Sequence, residues 1–171
     1  MSRARPSSSR EALEEDREGQ VSASDENGIT IVEAPFGSDV YRQSLVLREA
    51  VLRTPLGLHL TAEELADDAL RRHFCALSHG AVVGSVSLKP LDKESLQLRQ
   101  MAVAEDRRRE RIGAELLEQA EGFARGEGFK RIVLNARLGA EGFYARFGYQ
   151  ASGEPFDENT IPHVRMSKDL A

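Results

Sequence analysis

Apolar residues along this chain switch between a period of two and a period near 3.6, and each switch marks an element boundary. Ile29–Val32 alternates weakly and predicts a first strand. Ala34–Ser38 reads as a loop. Ser38 or Asp39 then caps a helix with apolar positions Val40, Leu47 and Val51, and Tyr41, Leu45 and Leu52 alongside. Pro55 and Gly57 stop it. Thr61 and Glu64 have capping-box spacing, so a short helix is expected from about Ala62 to Leu70. Phe74–Leu77, a tight turn at Ser78–Gly80 and a longer run Ala81–Leu88 predict a hairpin. Cys75 on that hairpin is expected to be a small buried hydrophobe, and His73 and His79 to face solvent.

The next strand, Leu96–Val103, is irregular. Leu96 and Leu98 share one face, while Met101 and Val103 share a face of opposite parity. A parity switch inside one strand is what a β-bulge or a kink near Arg99–Met101 produces. A helix from about Arg111 to Arg125 follows, with Ile112, Leu116, Ala120 and Phe123 as its buried stripe and Glu115, Glu118 and Glu121 outward. Ile132–Leu134 is a short buried strand, which makes this segment a right-handed βαβ unit. A second helix from about Gly139 to Arg146, a strand from Tyr149 and a last strand Val164–Ser167 complete the pattern.

Composition narrows the function. The 171 residues suit one folded domain, and no apolar run approaches the ~20 residues that span a bilayer, so no membrane partner is expected. The net charge is −5, with 23 basic and 28 acidic residues. It is unevenly placed. Residues 1–28 hold four Arg, seven acids and six Ser, with Leu13 and Val21 as the only large aliphatics. Such a stretch buries too little apolar area to offset its ordering entropy and reads as a disordered tail. It has no apolar core of a secretory signal, and it is too acidic for a transit peptide. The folded part is therefore 29–171, with net charge near −2. A cytoplasmic location follows from these expectations. One cysteine excludes an internal disulfide framework, and four scattered histidines show no metal spacing.

The chemistry gathers in the βαβ unit. A bulge at Met101–Val103 leaves strand N–H and C=O groups unpaired and makes room for an extended, amide-bearing ligand. Arg107–Gly113 turns into a helix, whose first N–H groups are free and carry partial positive charge, an arrangement suited to pyrophosphate. Arg side chains there add charge-assisted contacts. Tyr144 stands one turn into the next helix, where a phenol can donate a proton. There is no Walker A sequence and no G-x-G-x-x-G after a strand. Each feature has a duller reading: irregular burial, a solvated Arg-rich cap or weak nucleic-acid patch, and an aromatic packed beside Phe143 and Phe147. It is their order and spacing that lift the first reading.

On Leu98–Val103, Arg108–Gly113, Ile132–Ala136 and Glu141–Tyr149, the chain resembles the GNAT superfamily of acyl-CoA-dependent N-acetyltransferases. The similarity runs from about Ile29 to the C-terminus. The ending Ile161–Met166 also resembles an ElaA-like bacterial branch. The family's pyrophosphate motif is Gln or Arg, two residues, Gly, one residue, then Gly or Ala. Arg108 and Gly113 match its ends, Arg111 stands where the internal Gly is usual, and Arg109 also replaces a frequent Gly. The resemblance implies an α/β fold: a mixed, splayed sheet of six or seven strands flanked by helices. It implies acetyl-CoA as co-substrate and no metal. Met101, Ala102 and Val103 would pair with pantetheine; Arg108, Arg109, Glu110, Arg111, Ile112, Gly113 and Ala114 would hold the pyrophosphate; Asn135 would lie near the cofactor arm; Tyr144 would protonate the leaving thiolate. It also implies an acceptor pocket at about Arg48–Leu65 and Glu154–His163. Glu63, Glu64, Glu154, Asp157 and Glu158 are the acids there that could attract a cation.

The expected reaction is direct attack of a primary amine on the thioester in a ternary complex. The best single candidate for its base is His163, chosen because histidine as a residue type can exchange a proton near neutral pH, with Glu158 or a water relay as rivals. A non-catalytic CoA-binding or interaction module is the alternative, motivated by Arg109 and Arg111. The acceptor amine is not readable. Nucleic acid is not the expected partner, and the protein is expected to be a monomer or a homodimer.

Overall fold

The computed structural model describes residues 28–171. The expected tail therefore lies outside the described residues, apart from Gly28. In chain order the elements are β1 (Ile29–Glu33), α1 (Asp39–Arg48), α2 (Ala62–Asp67), β2 (Arg72–Ser78), β3 (Ala81–Pro90), β4 (Ser95–Val103), α3 (Ile112–Gly126), β5 (Arg131–Arg137), α4 (Glu141–Ala145), β6 (Gln150–Glu158) and β7 (Ile161–Asp169). The strands form a seven-stranded sheet in the order β1-β2-β3-β4-β5-β7-β6. Only β4 and β5 run parallel; the remaining neighbours are antiparallel.

Helices cover the two faces. Phe74, Ala76, Leu96, Leu98 and Leu134 pack with Leu116, Leu117 and Ala120 of α3. Cys75 and Val32, of opposite parity, pack with Tyr41 of α1. The sheet is thus sandwiched between α3 and α1, and parity tells which face each strand residue serves. Gly84 allows the α3 layer to close: a Cβ there would stand 2.7 Å from Ile112 and 2.9 Å from Leu116.

The α1 helix departs from its apolar pattern. Ser38 caps it by accepting from the Tyr41 amide, and Glu49–Arg53 continue it as a π-helical turn. Its buried residues are Tyr41, Ser44 and Arg48, while Val46 is 73% exposed. The reason lies underneath. Asp68 accepts from the Tyr41 hydroxyl at 2.6 Å and from Arg48 at 2.7 Å, in a fully buried cluster. Charge and hydrogen bonding, not apolar burial, fix this face. His73 belongs to the same cluster, with Nε2 2.8 Å from the Asp68 carbonyl. It is buried, not solvent-facing, and burial lowers its pKa. Cys75 is fully buried as expected, which pushes its thiol up to about 12.

The α3 stripe also differs in one residue. Glu121 is buried, and its carboxylate accepts from Tyr149 at 3.0 Å and from Lys168 at 2.8 Å. It ties α3 to β7 and to the residue before β6, so it faces inward.

Candidate active site

The parity switch in β4 is a bulge. Ala102 pairs with Ser85 and Arg99 with Ser87, so Gln100 and Met101 stand opposite Val86 alone. Gln100 takes φ +58, the left-handed conformation that shortens the strand's advance. As a result Leu96, Leu98, Met101 and Val103 all meet the same core. The bulge turns the second half of β4 away from β5. The two strands pair only at Ser95–Gln97 with Arg131–Val133. Beyond that they diverge, and a cleft of about 1120 Å³ opens between them.

One wall of the cleft is the turn into α3. Arg109 and Arg111, which stand where glycines are usual in the motif, both have positive φ, +79 and +64. The chain keeps the glycine conformation with arginine side chains. Arg111 at the N-cap gives no side-chain hydrogen bond to the helix. The amides of Ile112, Gly113 and Ala114 therefore have neither an intrahelical acceptor nor a side-chain cap. All three residues line the cleft. Gly113 serves packing too, since a Cβ would sit 3.3 Å from the Phe143 ring. Such an arrangement can receive an anion, with backbone donors and exposed arginines around them.

The other expected residues divide clearly. Met101, Val103, Arg108, Arg109, Arg111, Asn135, Tyr144 and His163 line the same cleft. Ala102 and Glu110 do not. The Ala102 side chain is buried in the sheet. Glu110 is held by Arg107 at 2.6 and 2.9 Å, a clamp that supports the turn.

Tyr144 is 8% exposed, edge-on to Phe143 and Tyr149, so it belongs to the core and to the cleft at once. Its hydroxyl makes no hydrogen bond to another described side chain, and burial pushes its pKa up to about 12. His163 is 5% exposed. Its Nδ1 lies 2.7 Å from the Ile161 carbonyl, an acceptor only, so Nδ1 carries the hydrogen. That leaves the Nε2 lone pair free in the neutral ring. The Glu158 carboxylate stands 3.5 Å from Nε2. Two rival bases are therefore neighbours.

Of the acids expected to attract a cation, only Glu158 lines the cleft. Glu64 is turned aside into an ion pair with buried Arg53. Instead the lining holds eight arginines and this one carboxylate. Arg53, Arg99 and Arg137 were not singled out in the sequence. The available signal was parity: Arg99 and Arg137 alternate with the buried residues Leu98 and Ala136. They must therefore emerge on the α1 face. Among the described residues, no group of His, Cys, Asp and Glu could hold a metal ion, and no helix is long and apolar enough to cross a membrane.

Comparison with known proteins agrees with this geometry. N-acetyltransferase family 8 member 3 of Rattus norvegicus is 31% identical over 115 residues, covering 60% of this chain and 50% of that protein. The chain thus spans about half the length of that relative. Two solved structures share the fold. One is a GNAT family acetyltransferase from Elizabethkingia anophelis with acetyl-CoA bound, with a TM-score of 0.66 at 20% identity over 84% of this chain and 99% of that one. The other is Escherichia coli ElaA, with a TM-score of 0.69 at 21% identity over 82% of this chain and 98% of that one. A family model described as an acetyltransferase (GNAT) domain matches residues 52–170, and the chain belongs to that family.

Proposed function

We propose that the protein transfers an acetyl group from acetyl-CoA to a primary amine by direct attack, with both substrates bound together. The observation that carries the reading is the divergence of β4 and β5. It brings the free edge of Met101–Val103, the uncapped amides of Ile112–Ala114 and the Tyr144 phenol to one cleft. The acetyl-CoA held by the Elizabethkingia anophelis neighbour supports this choice of co-substrate.

The strand edge at Met101, Ala102 and Val103 binds the amide-bearing arm as an added strand, Ala102 through its backbone alone. Backbone donors from Arg109 to Ala114 and the side chains of Arg108, Arg109 and Arg111 hold the pyrophosphate. Glu110 keeps that turn in shape through Arg107. Asn135 stands beside the arm. When bound, acetyl-CoA supplies an activated thioester: a C–S bond breaks, an N–C bond forms, the coenzyme leaves as a thiol, and one proton goes to solvent.

The residues move the protons. An alkyl ammonium with a pKa near ~10 must first lose one. His163 Nε2 takes it, and the Glu158 carboxylate beside it stabilises the imidazolium that forms. Tyr144 protonates the leaving sulfur. Burial pushes the Tyr144 phenol up to about 12, above the ~8.5 of a free thiol, so it yields its proton only as another is returned to it. Tyr144 therefore acts within a relay, refilled by the second proton leaving the amine nitrogen. The test is thiol release from acetyl-CoA across a broad amine panel. Tyr144→Phe is expected to lower turnover about 10²-fold, a typical acid–base contribution, with coenzyme binding kept. Unchanged turnover would remove Tyr144 from the mechanism. Acetyl-CoA binding with no thiol release from any amine would leave a coenzyme-binding module.

A further inference from the structure

The cleft passes through the sheet. Its pyrophosphate end lies at the start of α3, on the α3 face. Its other mouth is on the α1 face, and the strand register shows what meets there. Arg137 pairs directly with His163 across β5 and β7, so the two side chains emerge together. Arg99 has the parity of Gln97, whose register partner Val133 shares a face with Arg137. Leu52 and Arg53 close the mouth from the turn after α1: Arg137 donates to the Leu52 carbonyl at 3.0 Å. Glu158 stands between His163 at 3.5 Å and Arg99 at 3.8 Å.

The charges do not cancel at this mouth. Buried Arg53 is matched by Glu64. Arg99 shares Glu158 with His163. Arg137 is half-buried, and no carboxylate lies within ion-pair distance of it among the described residues. Burial and the nearby Arg53 charge weigh against its cation, Glu158 offsets them only in part from beyond ion-pair distance, and its pKa is lowered. A guanidinium fixed by a backbone carbonyl, with the rest of its fork open to a cleft, is a carboxylate receptor. The anion that completes it must come from the ligand. Because Arg137 and His163 are a direct cross-strand pair, their side chains leave the sheet side by side, and one ligand can present an ammonium to Glu158 and His163 and a carboxylate to Arg137.

We propose that the acceptor is an amino-carboxylate, a primary amine with its own carboxylate a few bonds away, and that Arg137 selects it by binding that carboxylate. This rests on the transferase reading above for the amine's fate, but not for its binding. A polycationic amine would meet Arg53, Arg99 and Arg137 with only Glu158 to receive it. It is disfavoured here.

The experiment pairs thiol-free L-amino acids with their carboxamides, and adds spermidine, all with acetyl-CoA and read by thiol release. The acids should exceed their amides at least tenfold in kcat/KM, with spermidine poorest. Arg137→Gln should bring the acids down to the level of their amides, mostly through KM, and Arg137→Lys should restore part of the preference. Equal use of acids and amides by the unaltered protein overturns the proposal. So does a preference that survives Arg137→Gln. A second arm measures calorimetric binding of the same pairs to the CoA-loaded protein, which needs no turnover. If no amine releases thiol, the transferase reading fails. The proposal then stands if acids bind more tightly than amides, and falls if the two bind alike or neither binds.

Discussion

Arginine in the left-handed conformation at positions 109 and 111 of one turn has a measurable cost. Arg111 has φ +64 and ψ +17, and Arg109 has φ +79. For an L-residue with a Cβ this region costs roughly 1–2 kcal/mol, and glycine escapes that penalty. Glycine also gains freedom in the unfolded chain, which gives back about 0.5–1 kcal/mol. Arg111→Gly should therefore stabilise the ligand-free protein by about 0.5–1 kcal/mol, or roughly 1–4 °C in Tm for a domain of this size. The lost ion pair with Glu118 subtracts little: it spans 3.6 Å, and both side chains are mostly exposed. Arg111→Ala is the decisive control, because it removes the charge but keeps the Cβ and its strain. Thermal melts of the three proteins without ligand make the test. If the alanine variant melts as high as the glycine variant, the strain argument is wrong.

The same substitution should weaken coenzyme binding. A guanidinium–phosphate contact contributes on the order of 1.5 kcal/mol, so affinity should fall about tenfold. The salt dependence of binding should become shallower. Stability and affinity then move in opposite directions at one residue, as expected where local strain is kept at a functional site.

Other positions give independent checks. Gly84→Ala should cost about 1–3 kcal/mol, because its methyl would overlap Ile112 and Leu116, whereas Gly122→Ala, with nothing within 4 Å, should be neutral or stabilising in the same melts. Tyr144→Phe should change Tm by less than about 2 °C, since its hydroxyl makes no hydrogen bond to a described side chain; a large loss would mean that it holds the fold. His73 is buried with a lowered pKa, so the unfolded chain binds its proton more readily: its contribution is complete above about pH 6.5 and is lost as pH falls. Tm should drop between pH 7 and 5, with a shallower slope in His73→Gln.

Much of this was legible because apolar periodicity reports faces. The parity switch from Leu98 to Met101 pointed to the bulge, since a one-residue insertion lets those side chains share a core. The Thr61 and Glu64 spacing located α2 for a similar reason: the capping box is local. What periodicity missed are faces held by polar groups. α1 buries Tyr41, Ser44 and Arg48 because Asp68, 20 residues beyond Arg48, waits beneath them. Glu121 turns inward because Lys168 and Tyr149 meet it from distant parts of the chain. A buried charge is tolerated only with its partner in place, and partners remote in sequence leave no local trace.

The distribution of charge shows the same limit at larger scale. A net charge of −5 argues against an anionic partner, yet the cleft is lined by eight arginines and one carboxylate. Fields are set by the charges nearest a low-dielectric cleft, not by the sum over the chain. The excess acid is elsewhere, three charges of it in residues 1–28. The two mouths also use their cations differently. On the α3 face, Arg108, Arg109 and Arg111 are exposed, and Arg111 has only its surface ion pair with Glu118. On the α1 face, Arg137 is half-buried and pinned to the Leu52 carbonyl. Exposed cations suit a flexible, multiply charged group, whereas a pinned one suits the single carboxylate of the proposed acceptor. In the proposed reaction the sheet would separate these tasks by face, with the bulge at Gln100 opening the cleft between them.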